Sequence, residues 1–176
     1  MGEFRIGRSR AQHSYPDTRG AGVAGFARNS AFGPSPQTPL AIAALGTKIP
    51  WVAPEVGTAG STIVPITPNV TGIVRVLADV VVENTAGVVN NMLVELFVNG
   101  VTSGPVVVSV STIPAKIEND SGFITIPFEF DFAGANKLTL GTLYKMEIKV
   151  TPMQGGTSTK VDYASIDIQE LPAATG

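Results

Sequence analysis

From residue 40 to residue 171, the sequence repeats one pattern, in which short segments rich in Val, Ile and Thr are separated by Gly, Asn and Pro. In residues 72–83 and 91–99 the side chains that would share one face are largely apolar, and the period is two, as in a β-strand. Asn99-Gly100 indicates a hairpin, because a type I′ turn needs a positive φ at both central positions. No segment has a helical period. The pattern predicts an all-β fold.

The spacing of the turns predicts about eight strands, in residues 40–45, 61–67, 72–83, 91–99, 101–113, 122–132, 142–151 and 160–171. Two packed antiparallel sheets of four strands are expected, which is an eight-stranded antiparallel jelly-roll sandwich. An immunoglobulin-type sandwich is the alternative, but the chain has no cysteine pair to support it.

The first part of the chain has a different character. Residues 1–30 contain five arginines and two acidic residues, a net charge of +3, and they have no apolar period. Three prolines follow between residues 34 and 39 and indicate an extended linker. We therefore predict an extended N-terminal arm and Pro-rich linker over residues 1–39, with no core of its own, and a jelly-roll domain over residues 40–176.

The arm carries apolar anchors between its arginines, more than a purely solubilising tail needs. Guanidinium groups form bidentate pairs with carboxylates on a partner surface. A disordered tail without a role is the alternative, and nucleic acid is an unlikely partner because the arginines are thinly spread. The residues that we predict to bind the partner are Phe4, Arg5, Arg8, Arg10, Tyr15 and Arg19.

Composition limits the possible functions. Charged residues make up only 15% of the chain and hydrophobic residues 44%, so part of the surface is expected to be covered, most simply by oligomer contacts. The sequence contains no stretch of 18 or more apolar residues, the length that a membrane span needs, and residues 1–30 lack the apolar core of a secretory signal.

The sequence offers little for catalysis or ligand binding. His13 is the single histidine, and cysteine is absent, so a catalytic triad or a thiolate metal site is not expected. Glu129 and Asp131 would share one strand face, but adjacent acids on a strand are usually solvated. We predict no catalytic, cofactor or metal site and no enzymatic activity.

Several segments in order resemble the tumour-necrosis-factor-like trimeric jelly rolls of phage virion proteins and of the caps on bacterial collagen-like filaments. These segments are residues 80–87 (VVVENTAG) and 93–101 (LVELFVNGV), followed by residues 121–127, 137–151 and 161–171. The resemblance implies a homotrimer that packs around a three-fold axis through an apolar sheet face. The candidates for that interface are Leu77, Val81, Leu93 and Phe97.

A trimeric jelly roll behind a basic arm looks most like a capsid decoration (cement) protein of a tailed phage. The expected partner is the major capsid protein, and the expected location is the capsid surface of the virion, after synthesis in the host cytoplasm. The alternative is a trimeric receptor-binding or adhesin tip that recognises a glycan or a cell-surface protein. The arm favours decoration, because tips generally attach through a shaft.

Overall fold

The structure is a computed structural model that describes residues 25–35, 38–52, 54–84, 90–110, 122–153 and 159–173. A 3₁₀ turn at Gly134–Asn136 is the only helical element in these segments. The strands are β1 (Arg28–Phe32), β2 (Leu40–Ala41), β3 (Thr47–Lys48), β4 (Val64–Ile66), β5 (Val74–Asn84), β6 (Asn90–Val98), β7 (Val101–Val110), β8 (Gly122–Phe132), β9 (Tyr144–Pro152) and β10 (Thr159–Glu170).

The strands form two antiparallel sheets. Sheet I has the order β1-β10-β5-β8, and β2 pairs with the first residues of β10 beyond β1. Sheet II has the order β3-β9-β6-β7, and β4 pairs with the first residues of β9. Most consecutive long strands, such as β5 and β6, therefore belong to different sheets, whereas β6 and β7 form a hairpin within sheet II. This arrangement is a jelly-roll sandwich, and the predicted fold class is confirmed.

The core lies between the two sheets, and it is built by the alternation that the sequence predicts. On β5, every second side chain from Val74 to Val82 is buried, and the same holds on β6 from Met92 to Val98. Trp51 is fully buried, and its indole N–H donates to the carbonyl of Thr62 at 3.1 Å. Burial of these apolar side chains is the main favourable contribution to folding.

The long strands agree closely with their predicted bounds. The β6–β7 hairpin turns at Asn99 and Gly100, whose φ values of 51° and 87° are both positive, as predicted. The predicted strand over residues 40–45 shrinks to the two residues of β2. The described segments contain ten strands instead of the expected eight, because the outer edges of β9 and β10 are each paired with two short pieces of chain.

The arm assignment requires a correction at its C-terminal part. We assigned residues 1–39 to an arm without a core, but Arg28–Phe32 is a strand that pairs with β10 over five residues. Its inward residues are Asn29 and Ala31, which are too small or too polar to produce a visible apolar alternation. Asn29 is buried, and its amide nitrogen donates to the carbonyls of Val56 (3.0 Å) and Pro65 (2.6 Å).

Candidate assembly surface

The outer face of sheet I, which points away from the core, carries most of the exposed large apolar side chains of this sheet. Val81 on β5 lies between Tyr163 on β10 and Thr125 on β8 in the pairing register. Four large side chains of this face are between 37% and 57% exposed, although monomeric proteins rarely leave contiguous apolar patches uncovered. They are Phe32, Leu77, Phe123 and Tyr163.

A shallow depression of about 370 Å³ lies on this face between β1, β10 and β5. Its walls combine the apolar side chains of Phe32, Leu77 and Tyr163 with the polar side chains of Ser165 and Asp79. An open depression of this mixed character suits contact with another protein surface better than enclosure of a small molecule, since small-molecule sites bury most of their ligand.

Ion pairs lie on this outer face at the end where β1 begins. Arg75 makes a bidentate pair with Asp131, at 2.8 and 2.9 Å, and it also approaches Glu129 at 3.3 Å. The hydrogen bond from Arg75 lowers the pKa of Asp131. Beside this pair, Arg28 contacts Asp167 at 3.2 Å. Both acids that the sequence singled out are thus paired with an arginine, and no group of three or more potential metal ligands occurs in the described segments.

The outer face of sheet II carries charged side chains beside apolar ones. Lys48 forms an ion pair with Glu147 at 2.6 Å and lies 5.6 Å from the centre of the Phe97 ring. Lys145 and Lys149 point outward from β9, the same strand that carries Glu147. Phe97 is therefore half-buried beneath a charged side chain.

The four interface candidates separate into two pairs. Leu77 and Val81 lie on the outer face of sheet I, whereas Leu93 and Phe97 lie on the outer face of sheet II, on the opposite side of the sandwich. Alternation predicts which residues of a strand point outward, but it does not tell which sheet the strand joins. A single flat interface can use one pair and not the other.

The carboxylate of Glu170 joins three segments where the arm meets the domain. Glu170 lies at the end of β10 and is buried, with 4% of its surface exposed. Its two oxygens accept hydrogen bonds from five backbone N–H groups, in residue 27 and residues 69–72. Oε2 accepts from Ala27 (2.9 Å) and Asn69 (2.8 Å), and Oε1 accepts from Val70 (2.8 Å), Thr71 (2.6 Å) and Gly72 (2.9 Å).

Two opposing effects act on the Glu170 carboxyl. Burial by itself raises the pKa, because it disfavours the charged form. The backbone N–H groups favour the carboxylate and outweigh burial, so the pKa falls from 4.5 to about 2. The side chain is therefore charged at neutral pH and secures Ala27, the last residue before β1, to the domain.

Glu170 was not among the residues predicted from the sequence, although the sequence contains a signal for it. Ile166, Ile168 and Glu170 share the inward face of β10, so the alternation itself places a carboxylate at a buried position. A buried charge needs hydrogen-bonded partners, and the turns beside the end of β10 are the segments that can supply them.

The predicted anchor residues Phe4, Arg5, Arg8, Arg10, Tyr15 and Arg19 lie outside the described residues, and so does His13. Within the segments that the structure describes, no helix is long and apolar enough to cross a membrane.

No protein family matches the sequence, and no curated protein matches it. Similar solved structures include PRD1 vertex protein P5 (15% identity, TM-score 0.45, covering 86% of this chain and 100% of that chain) and murine APRIL at pH 8.5 (11%, 0.43, 82% and 99%). Eiger TNF from S. frugiperda is also similar (11%, 0.39, 86% and 96%). A vertex protein and a TNF are thus both among the structural neighbours, and at these identities the similarity concerns the fold alone.

Proposed function

We propose that this chain is a structural virion protein that decorates and stabilises a phage capsid as a homotrimer anchored by its N-terminal arm. The observation that carries the proposal is the set of exposed large apolar side chains on the outer face of sheet I. Together with a low overall charge, this face indicates a surface that another copy of the chain covers.

Three copies would pack around a three-fold axis through this face, a closed arrangement in which one part of the face on each copy meets a different part of the face on the next copy. Leu77 and Val81 would then be interface residues, and Leu93 and Phe97 would remain on the outside. The ion pairs of Arg75 and Arg28 offset most of the negative charge at the charged end of the face, which lowers the cost of bringing this end close to a neighbouring copy.

The arm would attach the trimer to the major capsid protein. Its arginines would pair with carboxylates, and Phe4 and Tyr15 would fill apolar depressions of the capsid surface. Two features of the domain support a tether: β1 pairs with β10 over five residues, and the Glu170 carboxylate secures the residue before β1. Three arms on one trimer would multiply weak contacts into avidity.

The oligomeric state of the purified chain tests the interface. Native mass spectrometry should show a trimer for the natural sequence and a monomer for Leu77→Asp, because three carboxylates would be forced into an apolar contact. Leu93→Asp, on the outer face of sheet II, is the matched control and should remain trimeric. A monomeric natural chain, or a trimer that only Leu93→Asp dissociates, would refute this interface.

Removal of the arm tests the attachment. A chain without residues 1–24 retains β1 and the contact of Ala27 with Glu170, so it should remain a folded trimer. It should no longer bind capsids that lack the protein, as measured by co-sedimentation. Undiminished binding of the truncated trimer would rule out the arm as the anchor.

A further inference from the structure

The end of the sandwich where the arm leaves forms a second apolar surface, distinct from the outer face of sheet I. Five segments meet there, namely residues 25–27, 67–73, 99–100, 133–143 and 171–173. The Asn69 amide nitrogen donates to the carbonyl of Gly25 at 3.5 Å, and Gly141 N–H donates to the carbonyl of Pro68 at 2.8 Å. Asn99 is held against β9 by hydrogen bonds with the backbone of Lys145.

The turns at this end carry almost no charge, although the ion-paired Arg28, Arg75 and Asp131 lie on the strand ends beside them. Across the five segments, all of which the structure describes, Lys137 is the only charged side chain. Four large apolar side chains are exposed there, whereas exposed loops usually carry polar groups. They define the arm-exit surface: Phe26 (39% exposed), Val70 (38%), Leu140 (49%) and Leu143 (54%).

The arm-exit surface is also held in a fixed shape. Gly72 N–H donates to a Glu170 oxygen, and the carbonyl of Gly72 accepts from Leu138 N–H at 2.9 Å, so the segments around residues 70 and 140 are joined. The hydroxyl of Tyr144 accepts from Thr139 N–H at 2.9 Å. A preorganised surface loses little conformational entropy when it binds.

We infer that the arm-exit surface docks on the same shell protein that the arm binds, against an apolar and uncharged patch. This inference rests on the proposed function. Residues 1–24 lead into Gly25, which lies at this surface. An arm bound to the shell therefore draws this end of the domain towards the shell. If the three-fold axis runs along the strands of sheet I, the three arm-exit surfaces of a trimer lie on one side, where all three can meet the shell together.

The two contacts differ in chemistry and therefore in their response to salt. The arm binds largely through guanidinium–carboxylate pairs, which salt weakens. The arm-exit surface binds through burial of apolar side chains, which salt does not screen. Attachment should consequently retain a salt-resistant component that depends on Leu140 and Leu143.

Binding of the full-length trimer to shells that lack the protein tests the inference, with the dissociation constant measured at low and high salt. The double variant Leu140→Asp/Leu143→Asp should bind at least roughly tenfold more weakly at both salt concentrations, since two half-exposed leucines lose their burial. The milder pair Leu140→Ser/Leu143→Ser should show a smaller loss in the same direction. Native mass spectrometry and a thermal melt confirm that each variant is a folded trimer.

Leu45→Asp is the matched control. Leu45 is 87% exposed and follows β2, which pairs with the start of β10, so it lies at the opposite end of the sandwich from Glu170. This variant should bind within about twofold of the natural chain, because it leaves the apolar contact unchanged. If Leu45→Asp binds the shell more weakly while both leucine double variants bind like the natural chain, the opposite end of the sandwich contacts the shell and the inference is overturned.

The arm truncation separates the two proposals. If removal of residues 1–24 abolishes binding while both double variants of Leu140 and Leu143 bind like the natural chain, the arm anchors the trimer and the arm-exit surface does not dock. If neither the truncation nor the leucine variants weaken binding, the proposed function itself fails.

Discussion

Replacement of Glu170 with glutamine removes the charge that holds the end of β10, the turn at residues 69–72 and the start of β1 together. A pKa lowered from 4.5 to about 2 corresponds to roughly 3 kcal/mol of stabilisation of the folded state at neutral pH. Glutamine would in addition turn an NH₂ group towards backbone N–H donors and leave at least one of them without an acceptor. The free energy of unfolding should therefore fall by roughly 3 kcal/mol at pH 7.

The pH dependence of this effect has a definite sign. The folded-state pKa lies below the unfolded value, so the stabilisation is complete above about pH 4.5 and is lost as the pH falls towards 2. The difference in stability between the natural chain and Glu170→Gln should shrink through that interval. Urea unfolding at pH 7, 4 and 3, at one protein concentration, measures the difference and keeps any subunit dissociation comparable.

Glu129→Gln is the matched control for Glu170→Gln. Glu129 is exposed and pairs with Arg75 at 3.3 Å, so its loss should change the free energy of unfolding by at most about 1 kcal/mol. Hydrogen exchange should in addition show faster exchange of the Ala27 amide in Glu170→Gln. A loss below about 1 kcal/mol at pH 7, or a loss that does not change between pH 7 and pH 3, would refute the role assigned to this carboxylate.

Two further substitutions test the region around the arm root by urea unfolding at pH 7. Asn29→Ala should cost about 2 kcal/mol, because the buried amide joins β1 to Val56 and Pro65; a cost near zero would contradict that connection. Gly72→Ala should destabilise clearly more than Gly141→Ala. Both glycines have φ near +70°, but a Cβ at residue 72 would overlap the Leu138 carbonyl oxygen, whereas no atom would lie within 4 Å of a Cβ at residue 141. Equal costs would mean that the two segments do not approach so closely in solution.

The parts of the fold that depend on local alternation were predictable. β8 has the bounds that the sequence indicated, because from Ile124 to Phe132 its isoleucines and phenylalanines alternate with polar residues and Pro127. β1 was missed because Asn29 and Ala31 give no apolar signal, and a five-residue strand of this kind is stabilised by its pairing with β10 rather than by its own composition.

The candidate surface was predictable only in part, because it depends on long-range pairing. Leu77 and Leu93 are both outward residues of strands that are consecutive in the sequence. They lie on opposite faces of the sandwich because the chain crosses from one sheet to the other between β5 and β6. The arm-exit surface was not predicted, since Phe26, Val70 and Leu140 come from turns that are far apart in the sequence. Hydrogen bonds between those turns bring them together.

The copy number of this chain in purified particles tests the central claim most directly. Quantitative mass spectrometry of intact particles would give its ratio to the most abundant shell protein. The account predicts a copy number of the same order as that of the shell protein, as a decoration protein requires. A few copies per particle would contradict decoration and would favour a receptor-binding tip.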